Sequence, residues 1–379
     1  MKIAFICPYY EPAIDGPKQV IKELAFRLIK SGHEVHVYTS DWDKKKRIKI
    51  KEEIIDGVKV HRCYHIFRVS QFSTVFPSVF FKLMNEEFDI IHTHVTGWAH
   101  VFFASIAAKL KNTRLIHTTH CPWTDTYRSF AGNIWKPISY NIFMRISYKL
   151  SDKIIAITPW EIQFIEKYGG KNKIAVIPNG VDKIFFKKVK NNNFKKTYGI
   201  TGKIILFFGR LNITKGPNKF VLAAKEILKE RKDLNFVMVG PDEGMKSSIL
   251  SMIKNEKKIR LLDPIYERQK IAEMYQASEV YVLSSFREGL PLTLFEAFAS
   301  GLPVVASPVN GIPYEMKENE NGFFCNYNDI SCLKSKILFL IKNKNLYLKI
   351  RENNIKKAQN YDWDKIFRET MKLYHKKAF

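Results

Sequence analysis

The sequence predicts an α/β protein of two doubly wound, Rossmann-like halves that face each other across a cleft. Short β-rich runs alternate with amphipathic stretches of helical period, which is typical of βαβ units in a parallel sheet. This alternation starts with KIAFIC at residue 2 and starts again with KIILFFG at residue 203. Between the two series, residues 187–196 are rich in Lys and Asn and predict a linker followed by a short helix.

The individual elements follow from the same alternation. In the first half we expect strands over 2–7, 34–40, 58–64, 88–94, 114–120, 153–158 and 174–178, with helices near 18–30, 74–85, 98–111, 134–150 and 160–167. In the second half we expect strands over 203–209, 235–240, 259–263, 279–285, 303–307 and 322–326. Ligands of such sheets bind beyond the carboxyl ends of the strands, so the residues that follow each strand are the candidate site.

The charge of the chain is strongly positive. Its 379 residues include 62 Lys and Arg against 37 Asp and Glu, a formal net charge of +25. Such a field attracts phosphate-rich partners, namely anionic lipid headgroups, nucleotides or nucleic acid. A solvated Lys-rich surface explains the same charge equally well. The aromatic and basic platforms of nucleic-acid-binding folds are not evident in the sequence, so nucleic acid is not an expected partner.

Cysteine usage and hydropathy bear on the compartment. The five cysteines are scattered, odd in number and without a CxxC pair, a pattern that favours a reducing compartment over a disulfide framework or a zinc cage. The N-terminal apolar run Ile3–Cys7 is shorter than a signal-peptide core. No uncharged stretch approaches the roughly 18 residues of a membrane-spanning helix. We therefore expect a cytoplasmic protein whose membrane contact is at most peripheral, at the inner face of the cell membrane.

The most specific segment is SSFREGLPLTLFEAFASG at 284–301, with Glu288 and Glu296 separated by seven residues. Pro291 suits a first helical turn, and Gly301 suits the position just past a helix end. Glu288 then lies in the loop after a strand and Glu296 about one turn into the helix. The N–H groups at this helix start form a candidate pyrophosphate site, made by Gly289, Leu290, Pro291, Leu292 and Thr293.

Two further strand-to-helix loops carry candidate phosphate contacts. In FFGRLNITKGPNKF at 207–220, Arg210 and Lys215 follow a strand that ends at Gly209. Two cations beside a helix start can neutralise a departing diphosphate. In the N-terminal loop PYYEPAIDGPKQV, Gly16 allows close approach of a phosphate, but the loop does not match GxGxxG and predicts no NAD site.

Histidines and Asp-Trp-Asp triplets are the candidate metal ligands of the sequence. His92 and His94 alternate on one strand and so point to one face, while His117 and His120 end the next strand. Carboxylate or cysteine partners at ligand spacing are not evident, so we expect a polar lining of the cleft with His120 touching a ligand. Structural roles are the alternative for His92 and His117. The triplets at 41–43 and 362–364 are expected to be structural.

Two stretches mix aromatic residues with Arg and Lys, at 66–81 and 134–150. Each is compatible with a membrane-surface segment, aided by the basic run at 44–51, and equally with a core-facing helix.

In their order and context, these residues resemble glycosyltransferase family 4 (glycosyl transferases group 1), a family of retaining enzymes with the GT-B fold. The resemblance covers nearly the whole chain. It includes the segments GHEV at 32–35, HTH at 92–94, HTTH at 117–120, SDKIIAIT at 151–158, IPNGVD at 177–182, FFGRLNITKG at 207–216, FVMVG at 236–240 and the block EGLPLTLFEAFASGLPVVAS from residue 288. The glutamate–seven residues–glutamate motif is its most specific part.

The resemblance implies a role for each half. Residues 1–183 would form an acceptor-binding domain, joined by a crossover helix at 361–379, and residues 184–360 a donor-binding domain. Glu288 would contact the donor sugar and Glu296 the ribose, while Arg210, Lys215 and the 289–293 amides would hold the diphosphate. His120 would lie at the floor of the sugar site, with Gly16 in a loop over the phosphates. The family usually carries a Gly-Gly pair there, and here Pro17, which has no N–H, follows Gly16.

The implied reaction is transfer of a sugar from a nucleoside-diphosphate sugar to a saccharide or lipid-linked acceptor. No metal or other cofactor is expected, because fixed cations and helix-terminal amides can stabilise the leaving group. The basic and aromatic surface expected in the N-terminal half favours polysaccharide or glycolipid synthesis of the cell envelope. A sugar phosphorylase, a nucleotide-sugar epimerase and, less compatibly, a basic nucleic-acid-binding protein are the alternatives.

Overall fold

The computed structural model describes residues 1–13, 16–70, 73–121, 123 and 130–375. Within it the chain forms two compact units, residues 1–179 with 363–379 and residues 180–362. The sequence placed the boundaries at 183/184 and 360/361. The difference arises because the Val181 N–H donates to the Tyr361 carbonyl at 2.7 Å, so that both junction segments pair with each other inside the second unit. Residues 376–379 of the expected crossover helix lie outside the described residues.

The first unit is built on an eight-stranded sheet with helices on its faces. The eight strands of this sheet are β1 (Lys2–Ile6), β2 (Glu34–Ser40), β3 (Glu52–Ile55), β4 (Val58–Cys63), β7 (Ile90–His94), β8 (Arg114–Thr118), β9 (Lys153–Ala156) and β10 (Ile174–Val176). The strands β5 (Phe67–Ser70) and β6 (Ser73–Val75) form a separate antiparallel hairpin. Its helices are α1 (Gly16–Lys30), α2 (Ser78–Met84), α3 (Ala99–Leu110), α4 (Phe130–Ile138), a π-helical segment (Ser139–Met144), α5 (Arg145–Leu150) and α6 (Ile162–Lys167).

The second unit is built on a six-stranded sheet. It comprises α7 (Phe194–Thr197), β11 (Lys203–Phe208), α8 (Pro217–Leu228), β12 (Leu234–Val239), α9 (Lys246–Ile253), β13 (Ile259–Leu262), α10 (Arg268–Gln276), β14 (Val280–Leu283), α11 (Leu292–Ala299), β15 (Val304–Ala306), α12 (Ile312–Glu315), β16 (Gly322–Phe324), α13 (Ile330–Lys342) and α14 (Lys344–Ala358). The last helix, α15 (Trp363–His375), returns to the first unit.

Both sheets have the doubly wound topology that the alternation predicts. The strand orders are β10-β9-β8-β7-β1-β2-β4-β3 and β13-β12-β11-β14-β15-β16. Every neighbouring pair is parallel except β3 with β4. In each sheet the order reverses beside the first strand of the unit, between β1 and β7 and between β11 and β14. Ligands of doubly wound sheets bind at such a reversal.

Fully buried strands account for both cores. The strand β12 is buried at all six positions, as expected for a parallel sheet that is covered on both faces. The second core gathers aromatic and aliphatic side chains of the strands and of α8 and α13, including Phe220, Phe236 and Ile337. In α15 the face that carries Trp363, Ile366 and Tyr374 is buried, and Tyr374 donates or accepts a hydrogen bond with His92 at 2.7 Å.

One sequence expectation about local structure was wrong, one strand was not predicted, and one expected helix is confirmed with an irregularity. The stretch at 74–85 is not one helix, because residues up to Val75 form the hairpin β5–β6 and the helix starts only at Ser78. The antiparallel edge strand β3 was not predicted either, since its polar and apolar residues are partly exposed on both faces. The stretch at 134–150 is helical, but Pro137 lies inside α4 and is followed by the π-helical segment.

The expectation against disulfides also needs correction. Cys325 and Cys332 form a disulfide with a Cα–Cα separation of 5.6 Å. The end of β16 and the first turn of α13 bring the two residues together, a turn that spacing alone does not reveal. Cys7, Cys63 and Cys121 are buried thiols. Among the described residues, no helix combines the length and apolar character needed to cross a bilayer.

Candidate functional site

The reversal point of the second sheet collects the two most specific sequence segments. Arg210 and Lys215 follow β11, and Glu288 follows β14, which lies next to β11 in parallel register with Ile205 opposite Val280. The carboxyl ends of both strands therefore meet at one edge of the sheet. Segments about 75 residues apart in sequence form one site for this reason.

Gly216 and Ser284 hold the two loops together. Gly216 has a φ of +64°, and a Cβ atom there would lie 2.0 Å from the Ser284 carbonyl oxygen. The Ser284 hydroxyl donates to the Gly216 carbonyl at 2.9 Å, and the Phe286 N–H donates to the Thr214 carbonyl at 2.8 Å. Only glycine allows this approach, so Gly216 fixes Lys215 against the loop that carries Glu288.

Lys215 and Glu288 form a buried ion pair. The Lys215 ammonium lies 2.5 and 2.7 Å from the two carboxylate oxygens of Glu288. The Glu288 side chain is only 4% exposed and that of Lys215 18%, and the Ser285 hydroxyl donates to Glu288 at 2.7 Å. Burial lowers the pKa of Lys215, and the Glu288 carboxylate opposes that shift. The predicted sugar-contacting acid and phosphate-binding base are thus direct partners.

Arg210 is paired with Glu243, a residue that the sequence reasoning missed. The Arg210 guanidinium donates to both Glu243 oxygens at 2.9 and 3.1 Å, and the Asn212 amide donates to Glu243 at 2.7 Å. Glu243 follows β12, the other neighbour of β11, so its place after a strand was the available signal. The Arg210 side chain is 40% exposed, which leaves its guanidinium accessible to solvent.

Glu296 is held inside the protein by two further residues that were missed. Its carboxylate accepts from Arg268 at 2.7 Å and from the Tyr275 hydroxyl at 3.1 Å. Both partners lie on α10, which packs beside α11. Burial raises the pKa of Tyr275 well above its ordinary value, so its hydroxyl remains a proton donor. Position on a neighbouring helix carries no sequence signal, which is why Arg268 and Tyr275 were not found.

The start of α11 differs by one residue from the prediction. Pro291 adopts φ −70° and ψ +130° and precedes the helix as its cap residue, so that Leu292 and Thr293 occupy the first turn. Gly289, Pro291, Leu292 and Thr293 are partly exposed, whereas the Leu290 side chain is buried. The first N–H groups of a helix have no intrahelical partner, so this turn can offer donors to an anion.

The structure limits what two predicted glycines contribute. The Gly209 N–H donates to the Val239 carbonyl at 3.0 Å and so continues the sheet. Because this N–H is already bonded, Gly209 would contribute to a ligand site only by leaving room for the ligand where another residue would have a side chain. Gly16 is the first residue of α1 rather than a loop residue, and its exposed Cα has no neighbour within 4 Å of a Cβ position.

In the first unit, the histidines lie at the reversal between β1 and β7. His92 bonds the Thr118 hydroxyl at 2.8 Å in addition to Tyr374, and His117 bonds the Thr93 and Thr96 hydroxyls at 2.8 and 2.7 Å. Both rings therefore have partners at both nitrogens, which confirms their structural role. His94 Nδ1 lies 2.9 Å from His120 Nε2. His120 itself is partly exposed and has a φ of +61°.

The Asp-Trp-Asp triplets have the structural roles expected of them. Asp41 bonds His65 and Arg47, each at 2.5 Å, and Asp43 accepts from the N–H groups of two following lysines. In the second triplet, Asp364 bonds Arg27 of α1 at 2.8 Å.

The chain matches two family models that together span most of its length. Residues 14–183 match the model described as Glycosyltransferase Family 4, and residues 189–357 match Glycosyl transferases group 1. The chain is 31% identical over 280 residues to UDP-Gal:alpha-D-GlcNAc-diphosphoundecaprenol alpha-1,3-galactosyltransferase of Escherichia coli, covering 70% of each chain. It is 24% identical to the GPI3 subunit of the phosphatidylinositol N-acetylglucosaminyltransferase of Saccharomyces cerevisiae, covering 98% of this chain and 82% of that one.

The fold has counterparts among solved structures. Anabaena HepE in complex with UDP and glucose superposes with a TM-score of 0.78 at 18% identity, with 98% of each chain covered. That identity supports the fold alone. With two doubly wound units and both family models matched, the chain belongs to glycosyltransferase family 4, group 1, and has the GT-B fold.

Proposed function

We propose that this glycosyltransferase takes a sugar from a nucleoside-diphosphate sugar and transfers it, with retention of anomeric configuration, to a saccharide or lipid-linked acceptor. The observation that carries the proposal is the buried Lys215–Glu288 pair beside the first turn of α11. It brings a cation for a diphosphate and a carboxylate for sugar hydroxyls together at one edge of the sheet.

The pairing suggests how the donor is received. A diphosphate that binds near Lys215 and Arg210 competes with Glu288 and Glu243 for these two cationic side chains. As Lys215 turns toward phosphate oxygens, Glu288 becomes available to accept hydrogen bonds from the sugar. The loop N–H group of Gly289 and the helix-terminal N–H groups of Leu292 and Thr293 add donors to the same anion. Glu296, already oriented by Arg268 and Tyr275, is the acceptor for ribose hydroxyls.

We infer that the leaving group is stabilised without a metal ion. Preorganised cations and amides at the site of developing charge supply the same electrostatic effect that a metal would supply. Departure of the diphosphate leaves an oxocarbenium-like sugar, which the acceptor attacks from the face that the diphosphate vacates. The family resemblance assigns the floor of the sugar site to His120, whose Nε2 lies 2.9 Å from His94 Nδ1.

The acceptor proposal rests on the relatives and on one exposed surface. The two relatives named above carry lipid-borne acceptors in their names. In the first unit, α4 exposes Phe130 and Ile134 by 82% and 61%, and Trp135 of the same helix contacts Phe67 of the β5–β6 hairpin. Arg68 lies on the hairpin, Lys136 on α4, and Arg145 and Lys149 on the following helix α5. Apolar side chains with flanking cations suit an anionic membrane surface.

We propose, accordingly, a peripheral enzyme of cell-envelope polysaccharide or glycolipid synthesis that acts at the cytoplasmic face of the membrane. Flotation with anionic vesicles at low salt tests the membrane part. Wild-type protein should float, and a Phe130→Ser/Ile134→Ser protein should float less. Equal flotation of both, or none of either, would refute this surface.

The reaction is tested in two steps. Thermal shift with UDP-, GDP- and ADP-sugars identifies the donor, because a ligand that binds only the folded state raises its apparent stability. Release of nucleoside diphosphate should then depend on an acceptor and persist after chelator treatment, and NMR of the product should show the anomeric configuration of the donor. Consumption of inorganic phosphate, or an isomerised donor with no acceptor, would indicate a phosphorylase or an epimerase instead.

A further inference from the structure

A cluster of two imidazoles and a carboxylate lies on one face of the first sheet, among residues that the proposed reaction does not use. His36 of β2 is 2% exposed. His61 of β4 stands opposite Tyr38 in the β2–β4 register, and Glu86 lies just before β7. Alternation along β2 places His36 and Tyr38 on the same face. One atom from each of His36, His61 and Glu86 lies within 4.8 Å of the others.

The outer nitrogens of both imidazoles face carboxylates. His36 Nε2 lies 2.9 Å from Glu34, and His61 Nδ1 contacts Glu52. A carboxylate accepts hydrogen bonds, so each outer nitrogen donates its N–H to a carboxylate, and the inner nitrogens are the ones that can face a ligand. Carboxylates in this position are the usual outer partners of metal-binding histidines, since they fix the tautomer and raise the basicity of the ring.

The inner nitrogens face each other. His36 Nδ1 and His61 Nε2 are 2.9 Å apart, and Glu86 Oε2 lies 3.8 Å from His36 Nδ1. At this distance a cation, either a proton or a metal ion, must lie between the two nitrogens. The third group is oriented as well, because the Tyr38 hydroxyl donates to Glu86 Oε2 at 2.7 Å.

We propose that His36 Nδ1, His61 Nε2 and a Glu86 carboxylate oxygen form a binding site for a divalent cation of the Zn²⁺ class. Two imidazoles and one carboxylate are a ligand set that suits zinc and its neighbours. Metal–ligand bonds of about 2.1 Å at tetrahedral angles need ligand atoms about 3.4 Å apart. The observed 2.9 and 3.8 Å lie on either side of that separation, and the His36 and His61 rings, whose planes differ by only 12°, must rotate to direct both inner nitrogens at one ion.

The surrounding charges set the expected strength and accessibility. Lys2, Lys59 and Lys82 pair with Glu86, Glu34 and Glu52 at 2.6, 2.5 and 2.6 Å. These lysines offset the carboxylates, so the attraction for a cation comes mainly from the two nitrogen lone pairs, and affinity will be moderate. The His61 side chain is 18% exposed and that of Glu86 30%, which gives an ion and a fourth, water ligand a path from solvent. The ion would tie β2, β4 and the segment before β7 together.

Cobalt(II) provides a direct test, because its visible absorption reports tetrahedral coordination. Full-length protein without an affinity tag is treated with a chelator, freed of it and titrated with Co²⁺, then with Zn²⁺. We expect a visible band that saturates at one Co²⁺ per chain, loss of that band when Zn²⁺ is added, and a higher unfolding temperature with either ion. His61→Asn and Glu86→Gln should each weaken Co²⁺ binding by tenfold or more.

Two further variants separate ligation from a structural effect. Glu52→Gln removes only an outer partner and should weaken Co²⁺ binding about 10–100-fold. His33→Gln is the matched control. The His33 imidazole lies 3.1 Å from the N-terminal amine, and such a pair can also chelate Co²⁺. If the ion binds at the proposed site, Co²⁺ binding should be unchanged in this variant. Absence of the visible band in wild type would overturn the proposal. Wild-type Co²⁺ affinity in His61→Asn and Glu86→Gln proteins that still unfold cooperatively would also overturn it. So would loss of Co²⁺ binding in His33→Gln alone.

Discussion

Lys215 and Glu288, 73 residues apart in sequence, form a two-oxygen ion pair at the reversal point of the second sheet. When a buried ion pair separates, each of its two charges needs a new partner. A diphosphate can compensate Lys215, and sugar hydroxyls can compensate Glu288. The pair is therefore both a structural contact of the ligand-free protein and the basis of the first prediction.

Removing either partner should reduce turnover strongly. Glu288→Gln and Lys215→Ala are each expected to lower kcat at saturating donor by about 10²–10³-fold, which is typical of a lost electrostatic contact to a transition state. Lys225→Ala, an exposed lysine of α8, is the control and should retain wild-type turnover. Wild-type kcat in both site variants, measured by release of nucleoside diphosphate, would refute the assignment of this pair.

The outer partners of Glu296 should affect donor binding. Tyr275→Phe removes one hydrogen bond to a charged group, worth about 1.5 kcal/mol or roughly tenfold in affinity. We expect the donor Kd to rise by about that factor, measured by calorimetry, while kcat changes little. In a Glu296→Gln background the same substitution should have a smaller effect, since the two groups act through one contact. If the effects of Tyr275→Phe and Glu296→Gln on the free energy of donor binding are fully additive, this assignment is contradicted.

Gly216 should be irreplaceable on steric grounds. In Gly216→Ala the new methyl group would meet the Ser284 carbonyl oxygen at 2.0 Å, so one of the two loops must move. We expect a loss of stability of more than about 2 kcal/mol, beyond the 1–2 kcal/mol of a left-handed residue, and a loss of activity. Gly199→Ala is the matched control, because Gly199 has a φ of +57° but no neighbour within 4 Å. Equal destabilisation of the two proteins by urea unfolding would count against this reading.

Acid should destabilise the first unit through its buried histidines. Burial lowers the pKa of His117 to about 3 and that of His100 to about 4, whereas an imidazole in the unfolded chain has a pKa of about 6.5. Between these values only the unfolded chain binds the protons, so the free energy of unfolding falls as the pH drops below about 6.5 and is insensitive to these groups above it.

His117→Gln isolates this effect. Glutamine can still bond the Thr93 and Thr96 hydroxyls but does not titrate. Burial raises the pKa of Glu161, so this carboxyl binds a proton more readily in the folded chain. As the pH falls it therefore raises the free energy of unfolding, and it does so in both proteins. Between about pH 7 and pH 5, the unfolding temperature of the variant should therefore fall less than that of wild type. A larger loss in the variant would contradict the assigned protonation of His117.

Local patterns predicted most of the strands because their physical cause is local. Residues such as Ile204–Phe207 and Phe236–Val239 form fully apolar runs, which a doubly covered parallel strand requires. The edge strand β3 and the hairpin before α2 escaped prediction because neither is fully buried nor cleanly alternating. The disulfide escaped because it depends on the turn between β16 and α13.

By itself, the sequence determined two doubly wound units, the family, and the strand-end position of Arg210, Lys215 and Glu288. Strand-end loops are identifiable because burial patterns show where each strand stops. Only the tertiary structure decided which charges are partners, namely Glu243 for Arg210, Arg268 with Tyr275 for Glu296, and His36 with His61. Those pairings depend on which strands and helices become neighbours, and that order is set by packing of the whole sheet rather than by any local run of residues.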